Sequence, residues 1–275
     1  MTKRGQHKFA LVAAIFALIS ASFLTTFLAT GSAANDETTP EDAARAKVVN
    51  YMREAASIRW TPQKDIPYWT KSQPFTFKAG ETYYGVPYTQ LNRDYDLDKF
   101  QALLENVGGV ATYVGPSESN TYAGNDCSSA TSHAWRRIDP SFPTLNTDAM
   151  LPNREKRIVK AGDYEIGAEK TTIEIVKRNG EAVVKKAYAS LKPGDAVLYR
   201  GKTGHVMVVL KNAPEEEKLY IADQTGCDEG TPMGQGGRST MRVDHEISYD
   251  RLFKTNYIPI RLKAIDDLAK QSANR

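Results

Sequence analysis

The apolar positions follow a helical period in the first half of the chain. Thr39 precedes a proline and two acids, which is typical of a helix start with Thr39 as N-cap. Apolar residues at helical spacing follow over 48–56 and stop before Pro62. The same reasoning predicts a short helix over 95–106 and a further helix from Cys127 to Ile138.

Alternating patterns dominate the second half. Residues 171–188 contain two strand-like runs around Asn179-Gly180, so a tight hairpin is predicted there. Pro259 predicts an edge strand or a bulge, because proline lacks the N–H that an inner strand donates. Helices first and antiparallel strands afterwards indicate the α+β class. Single strands are predicted over 195–200, 205–210, 219–223 and 257–262.

The N-terminal segment has the three parts of an export signal. Residues 1–8 are polar and basic, a long uncharged apolar run follows, and the small residues GSAA close it at 31–34. Cleavage after Ala33 or Ala34 is predicted to remove this signal peptide. The apolar run is also long enough, at about 20 residues, to remain as a membrane anchor. Both outcomes predict a secreted or cell-envelope protein, in contact with membrane only through this segment.

Composition narrows the function classes. The chain has 275 residues and a formal net charge of +3. Its first eight residues hold three bases and no acid, which leaves 33 basic and 33 acidic residues in the remainder. This balance excludes a strongly basic nucleic-acid binder. Two cysteines exclude a disulfide-dense scaffold and a four-cysteine zinc site, and the well-spread histidines form no metal motif.

Cys127 has the setting of an activated nucleophile. It follows a Gly-Asn-Asp turn and begins a predicted helix of small residues. Free backbone N–H groups and the helix dipole at such a position favour a thiolate. The same N–H groups can stabilise the oxyanion of a tetrahedral intermediate. A cysteine of this kind also needs a nearby base.

Three histidines outside the signal are candidates for that base. His133 lies on the predicted helix of Cys127 but about 240° round it, so it points away, and His245 sits among charged residues typical of a surface. His205 opens an apolar strand after a glycine-rich turn and is the predicted base. Its orienting partner is expected at Asp223 or Gln224, where the next strand ends. Neighbouring strand residues face opposite sides, so only one of the two can serve.

Four motifs occur in order within residues 80–225. They are GVPYTQ at 85–90, GNDCSSA at 124–130, LKPGDAVLY at 191–199 and GHVMVVL at 204–210. This ordered set resembles the NlpC/P60 group of papain-like cysteine hydrolases and, more loosely, the CHAP amidases. The resemblance implies a fold in which N-terminal helices pack on a small antiparallel β-sheet. It also implies a catalytic domain, placed at 80–262. The sequence pattern predicts a helical, aromatic-rich extension before this domain, at 35–79, and a charged C-terminal tail after it, at 263–275, as a frayed helix.

The resemblance also assigns roles to residues. It makes Cys127 the nucleophile and His205 the base, and it places three side chains against the substrate or the oxyanion, namely Tyr88, Asp126 and Ser128. The chain departs from the family at Ser129, where a glycine is usual. At the third catalytic position the sequence Asp223-Gln224 is closer to the CHAP pattern, which favours Asp223 and leaves Gln224 as the alternative beside the site.

The resulting prediction is an exported cysteine hydrolase that cleaves peptide or amide bonds. By the resemblance, its substrates are bacterial cell-wall peptides. The proposed chemistry needs no metal or organic cofactor, and the charge balance predicts no nucleic-acid partner. The alternative is a non-catalytic wall-binding or structural domain of the same fold, in which a disulfide joins Cys127 and Cys227. The aromatic-rich stretch 51–100 is compatible with a packed core or with a sugar-stacking surface.

Overall fold

The helices begin where the sequence supplies capping side chains. A computed structural model describes residues 38–70, 75–225 and 238–273, so the predicted signal peptide and Cys227 lie outside the described residues. The Thr39 hydroxyl accepts the Asp42 N–H at 3.1 Å and caps the first helix, as predicted. The helices in this part of the chain are α1 (Pro40–Ser57), α2 (Leu97–Gln101), α3 (Cys127–Arg136), α4 (Thr172–Ala189), α5 (Tyr249–Lys254) and α6 (Lys263–Ala273).

The strands of the described residues form three sheets. In chain order they are β1 (Arg59–Pro62), β2 (Ile66–Pro67), β3 (Thr76–Phe77), β4 (Tyr83–Tyr84), β5 (Leu104–Val107), β6 (Val110–Tyr113), β7 (Ile158–Lys160), β8 (Ala196–Arg200), β9 (Gly204–Ala213), β10 (Lys218–Gln224), β11 (Arg238–Ser239), β12 (Met241–Ser248) and β13 (Ile258–Leu262). A six-stranded sheet has the order β12-β10-β9-β8-β13-β7 and is antiparallel throughout. A five-stranded sheet has the order β11-β4-β1-β6-β5, and β2 pairs with β3. The chain is therefore α+β, as predicted.

The six-stranded sheet and α3 form the centre of the core. Strands β8, β9 and β10 supply fully buried valine, leucine and isoleucine side chains, and α3 packs against β9 and β10. Nine of the ten residues of α3 are buried, although several are polar. Their hydroxyls are satisfied locally, since Thr131 donates to the Cys127 carbonyl at 2.9 Å and Ser132 to the Ser128 carbonyl at 2.8 Å. This lets a helix rich in serine and threonine lie inside the protein.

A buried ion cluster ties α1 to the sheet just before β8. The Asp195 carboxylate is fully buried and accepts from Arg45 Nη1 at 2.9 Å. Arg261 holds the same carboxylate at two points, through Nε and Nη2, each at 2.8 Å. Gly194 precedes it with φ +86°, a left-handed conformation that favours glycine. The Lys-Pro-Gly-Asp motif is thus explained by a structural anchor, which we call the Asp195 cluster (Asp195, Arg45 and Arg261).

The aromatic-rich segment contributes mainly to a packed core. The Trp60 ring contacts four buried aromatic rings at centroid distances between 5.3 and 5.7 Å, and its Nε1–H donates to the Gly85 carbonyl at 2.9 Å. This cluster packs where β1 meets its neighbours in the five-stranded sheet. Trp69 and Tyr88 are half-buried at its margin, with ring centroids 6.2 Å apart. The core interpretation therefore holds for Trp60 and its neighbours.

The predicted hairpin over 171–188 is wrong, because this segment forms α4. Thr171 and Glu174 form a capping box, and most of the apolar residues fall on one buried helical face, while Ile173 and Val183 are exposed. Asn179 does not form a turn. Its side chain accepts from the Glu165 N–H at 2.7 Å and donates to the Glu165 and Ile175 carbonyls. Gly180 has φ +75° and kinks the helix, so the turn-forming dipeptide is accommodated as a bend between two helical halves.

A hairpin occurs instead at Gly108-Gly109, directly after the helix predicted over 95–106, and its first strand begins inside that predicted helix. Only α2 is helical there, and β5 and β6 follow it with Val107 paired to Val110 across the turn. Both glycines have positive φ, as a two-residue hairpin turn requires. The predicted helix over 95–106 is therefore wrong at its C-terminal end, where the chain enters β5.

The final strand also differs from expectation. β13 is an inner strand between β8 and β7, so the predicted edge position for Pro259 is wrong. Pro259 is tolerated because the β7 register begins only at Ile260, while its carbonyl accepts the Ala161 N–H at 3.1 Å. The predicted tail forms α6, which buries Ile265 and packs against α1. Of the described helices, none combines the length and the hydropathy needed to cross a membrane.

Candidate active site

Two of the sequence motifs meet to place Cys127 at the start of α3. Asn125 bridges to Tyr88 in parallel, with its N–H on the Pro87 carbonyl at 2.9 Å. Gly124 lies so close to this segment that a Cβ there would be 2.2 Å from the Pro87 carbonyl oxygen. The Pro-Tyr motif and the Gly-Asn-Asp motif are therefore packed on one another. Glycine at 124 is required by this close approach.

Asp126 fixes the first turn of α3. Its carboxylate accepts the Ser129 N–H at 2.7 Å, and Ser129 Oγ accepts the Asp126 N–H at 2.8 Å, which completes a capping box. The N–H groups of Cys127 and Ser128 have no acceptor within the helix, as in any helical first turn. Cys127 is 6% exposed and carries a free thiol. Ser129 thus has a capping role at the position where the family usually has glycine.

The imidazole of His205 forms a hydrogen bond with the Cys127 side chain. Burial lowers the pKa of the imidazole, but the charge of Cys127 and the hydrogen bonds to Asp223 and Cys127 outweigh it and raise the pKa to about 10. Nε2 donates to Asp223 Oδ2 at 2.6 Å, which leaves Nδ1 as the ring nitrogen for the thiol. The structure therefore brings together the predicted nucleophile and the predicted base. The raised pKa means that the ring holds its proton at physiological pH, in contact with Cys127 and Asp223.

Asp223, and not Gln224, is the partner of the imidazole. Its carboxylate is fully buried and is also held at two points by Arg242, through Nε at 2.9 Å and Nη2 at 2.5 Å. Burial raises the pKa of Asp223, but the bonds from His205 and Arg242 dominate and lower it below its usual range. Gln224 faces away and donates through Nε2 to the Val86 carbonyl at 2.7 Å and to Thr240 Oγ1 at 3.1 Å. Strand alternation separates the two candidates, as expected.

The other residues predicted to contact the substrate or the oxyanion are Tyr88, Asp126 and Ser128. Tyr88 is half-buried, and its pKa is raised to about 12 by burial, with Cys127 among the nearby negative charges. Its hydroxyl accepts from Gln90 Nε2 at 2.7 Å. Ser128 donates to Asp126 Oδ1 at 2.8 Å, so both of these side chains are engaged in the helix cap. Of these three side chains, Tyr88 is therefore the one that is not engaged in the helix cap, and its phenol lies near the thiol.

Three residues of the site were not predicted from the sequence, namely Arg93, Arg242 and Tyr257. Arg93 Nη1 contacts Asp126 Oδ2 at 2.9 Å, Ser128 Oγ at 3.1 Å and the Leu145 carbonyl at 3.2 Å. Arg242 lies opposite Asp223 in the β10–β12 register. The Tyr257 phenol is close enough to Asp223 and Cys127 for both to raise its pKa, after burial as the largest cause. Each of these contacts joins segments that are distant in the chain.

The other histidines stand apart from Cys127. His133 is buried, and Arg136 Nη1 donates to its Nδ1 at 3.1 Å. Burial, and then the charge of Arg136, lower its pKa to about 4, so the ring is neutral at physiological pH. This fits the predicted structural role. Among the described residues, no group of three histidine, cysteine, aspartate or glutamate side chains is arranged to hold a metal ion.

Comparison of the chain with protein-family models, with curated proteins and with solved structures gives no match.

Proposed function

We propose that this protein is a cysteine hydrolase that cleaves peptide or amide bonds through an acyl-enzyme on Cys127. The observation that carries the proposal is the chain of contacts from thiol to imidazole to carboxylate, with His205 kept protonated well above its ordinary pKa of 6.5. Imidazolium beside a negatively charged sulfur is the ground state that a cysteine nucleophile needs. A buried carboxylate then fixes the ring and stabilises its charge.

The arrangement supports a two-step reaction. The sulfur attacks the carbonyl carbon, and the carbonyl oxygen becomes an oxyanion within reach of the Cys127 N–H and the Tyr88 hydroxyl. His205 gives its proton to the leaving nitrogen as the C–N bond breaks, and the acyl group stays on sulfur as a thioester. The neutral imidazole next takes a proton from water, whose oxygen attacks the thioester. Sulfur leaves, the carboxylic acid product forms, and His205 is again protonated.

The proposal includes the papain-like architecture of the NlpC/P60 group and its substrate class, bacterial cell-wall peptides. Two observations support it. The ordered motifs fall on a helix that carries the cysteine and on an antiparallel sheet that carries the histidine and the aspartate. The contact between the Pro-Tyr segment and the residues before Cys127 also gives the first motif a reason to accompany the second. Export by the N-terminal segment, as a secreted or cell-envelope protein, would place the enzyme at this substrate.

The competing function is a wall-binding domain closed by a Cys127–Cys227 disulfide. The contact of Cys127 with His205 favours the hydrolase, because a disulfide sulfur carries no negative charge to pair with an imidazolium. Mass spectrometry of the purified, non-reduced protein separates the two. A mass two hydrogens below the reduced mass, together with unreactive cysteines, would favour the binding domain.

The activity itself is tested by incubating the protein with purified cell-wall peptides and identifying the products by chromatography and mass spectrometry. New amino and carboxyl termini are expected with wild-type protein and with Cys227→Ala. Cys127→Ala should release none of them, since loss of a nucleophile typically removes about 10⁶-fold of kcat. Product formation by Cys127→Ala, or no product from any wall peptide or simple amide, would contradict the proposal.

A further inference from the structure

A cavity of about 840 Å³ adjoins His205. Its wall includes His205 itself, Arg242 and Tyr257, so it begins at the candidate active site. The Tyr257 phenol interacts with both Asp223 and Cys127, which places this wall next to the thiol. The cavity continues along α5 and β12, where Arg251 and Lys254 line it. A substrate bound at Cys127 can therefore extend directly into this space.

The charges facing the cavity leave two cations available. Arg251 and Lys254 are exposed, and neither forms a salt bridge with a described residue. Arg242 is held by Asp223 and is already matched by that carboxylate. Glu246, the acid in the lining, is paired with Lys218 at 3.0 Å.

Two histidines also line the cavity. His205 is paired with Asp223, and the pKa of His245 is lowered by burial and then by Arg242, so His245 is neutral at physiological pH.

The carboxylate of Asp250, which interacts with Lys254, is itself paired with Lys185. With the other charges of the lining matched, the cavity presents Arg251 and Lys254 as two cations that form no salt bridge with a described residue. Such a pair attracts an anion, and a guanidinium in particular matches the two oxygens of a carboxylate.

Proton transfer fixes which part of the substrate lies here. His205 must deliver its proton to the leaving nitrogen, so the amine half of the substrate lies on the imidazole side of Cys127. The cavity is on that side because His205 forms part of its wall. The acyl half consequently extends the other way, towards Tyr88 and the half-buried Trp69.

From this placement we propose that the cavity is the subsite for the amine half of the substrate and that it selects an amine half bearing a carboxylate. Arg251 and Lys254 bind that carboxylate and determine specificity, without touching the reacting atoms. The inference rests on the proposed hydrolase function, because it uses the direction of proton transfer. It adds to that function a substrate class, namely amides whose leaving amine is an acidic residue or ends in a free carboxylate.

The test measures how well two matched peptides protect Cys127 from iodoacetamide. Trialanine has the free amine and terminal carboxylate of an acidic amine product, and trialanine amide lacks only the carboxylate. At low salt, wild-type protein should be protected at about tenfold lower concentration by trialanine, the effect of one charge-assisted hydrogen bond. The double variant Arg251→Gln/Lys254→Gln should lose this preference. Lys177→Gln, which removes an exposed cation on α4 outside the cavity lining, should keep it.

The possible results distinguish failure of the carboxylate subsite from failure of the proposed hydrolase function. Rapid labelling of Cys127 with equal protection by both peptides, or with protection by neither, would overturn the carboxylate subsite and leave the hydrolase standing. A preference that survives in the double variant would overturn the assignment to Arg251 and Lys254. A Cys127 that iodoacetamide does not label without reductant would remove the proposed function, and with it the inference. Circular dichroism confirms that the variants, all at exposed positions, are folded.

Discussion

Asp195 and Asp223 are built alike but differ in what surrounds them. Both carboxylates are fully buried, and both are held at two points by an arginine of a neighbouring strand. The further side-chain partner of Asp195 is Arg45, whose side chain is 4% exposed. The further side-chain partner of Asp223 is His205, at the wall of a large cavity. One carboxylate is therefore enclosed by permanent charges, and the other by a group that can exchange a proton.

This difference shows that a buried aspartate–arginine pair does not by itself identify a catalytic site. The pair costs desolvation in both places and can serve in both to fix neighbouring elements. What separates them is the titratable third partner and its access to a substrate-sized space. We therefore expect substitution of Asp223 to lower kcat and substitution of Asp195 to lower the free energy of unfolding.

The largest expected effect is that of Asp223→Asn on turnover. The amide keeps the size of the carboxylate but no longer stabilises the imidazolium, so kcat should fall roughly 10³- to 10⁴-fold, as for a triad aspartate. The free energy of unfolding should change little, because Arg242 is 33% exposed and water can solvate it. Steady-state kinetics and urea denaturation of the same preparation measure both. A large loss of stability with unchanged kcat would reverse the comparison.

Asp195→Asn should show the opposite signature. Arg45 and Arg261 are 4% and 15% exposed, so removal of their shared anion leaves buried positive charge and should cost about 3–5 kcal/mol of unfolding free energy. The fraction that remains folded should retain kcat within a few fold of wild type. Urea denaturation followed by fluorescence gives the stability, and active-site titration normalises kcat. A catalytic defect without destabilisation would contradict the structural role.

The pKa of His205 gives an intermediate test. Its folded value, about 10, exceeds the ordinary 6.5, so proton binding by this group stabilises the fold fully below pH 6.5 and the contribution is lost as pH rises through about 10. In Cys127→Ala both the charge and the hydrogen bond of the thiol are gone, and the pKa should fall. Asp195→Asn should leave it unchanged. Imidazole NMR titration measures all three proteins, and equal values in wild type and Cys127→Ala would contradict the pairing.

The smallest expected difference comes from replacing each arginine by lysine, which keeps the charge and removes the two-point contact. Arg261→Lys should cost about 1.5–3 kcal/mol, as for a lost hydrogen bond to a buried charge. Arg242→Lys should cost less than about 1 kcal/mol at its partly exposed position, with a modest fall in kcat because Asp223 is held less firmly. Chemical denaturation of the pair is the measurement. Equal costs would show that exposure of the arginine does not control the difference.

Much of the candidate site could be predicted from local sequence patterns. The residues that could not be predicted are those brought to the site by contacts between distant segments of the chain. Cys127 follows a helix cap, His205 follows a glycine turn, and Asp223 lies near a strand end. Each of these signals can be recognised from residues that are neighbours in the sequence. Arg242 and Tyr257 come close to Asp223 through strand pairing and through packing between distant segments. No local sequence motif therefore predicts them as residues of the site. The same limit explains α4, where burial of one helical face outweighed the turn preference of Asn179-Gly180.

The most direct test of the central claim is the rate at which iodoacetamide alkylates Cys127 in the non-reduced protein between pH 5 and 9. If the sulfur is held as the partner of a protonated His205, the rate at pH 6 should lie within a few fold of the rate at pH 9. His205→Gln should slow the reaction at pH 6, and Cys227→Ala should leave it unchanged. A rate that rises only near pH 8.5, as for an ordinary thiol, would contradict the account. So would a Cys127 that reacts only after reduction.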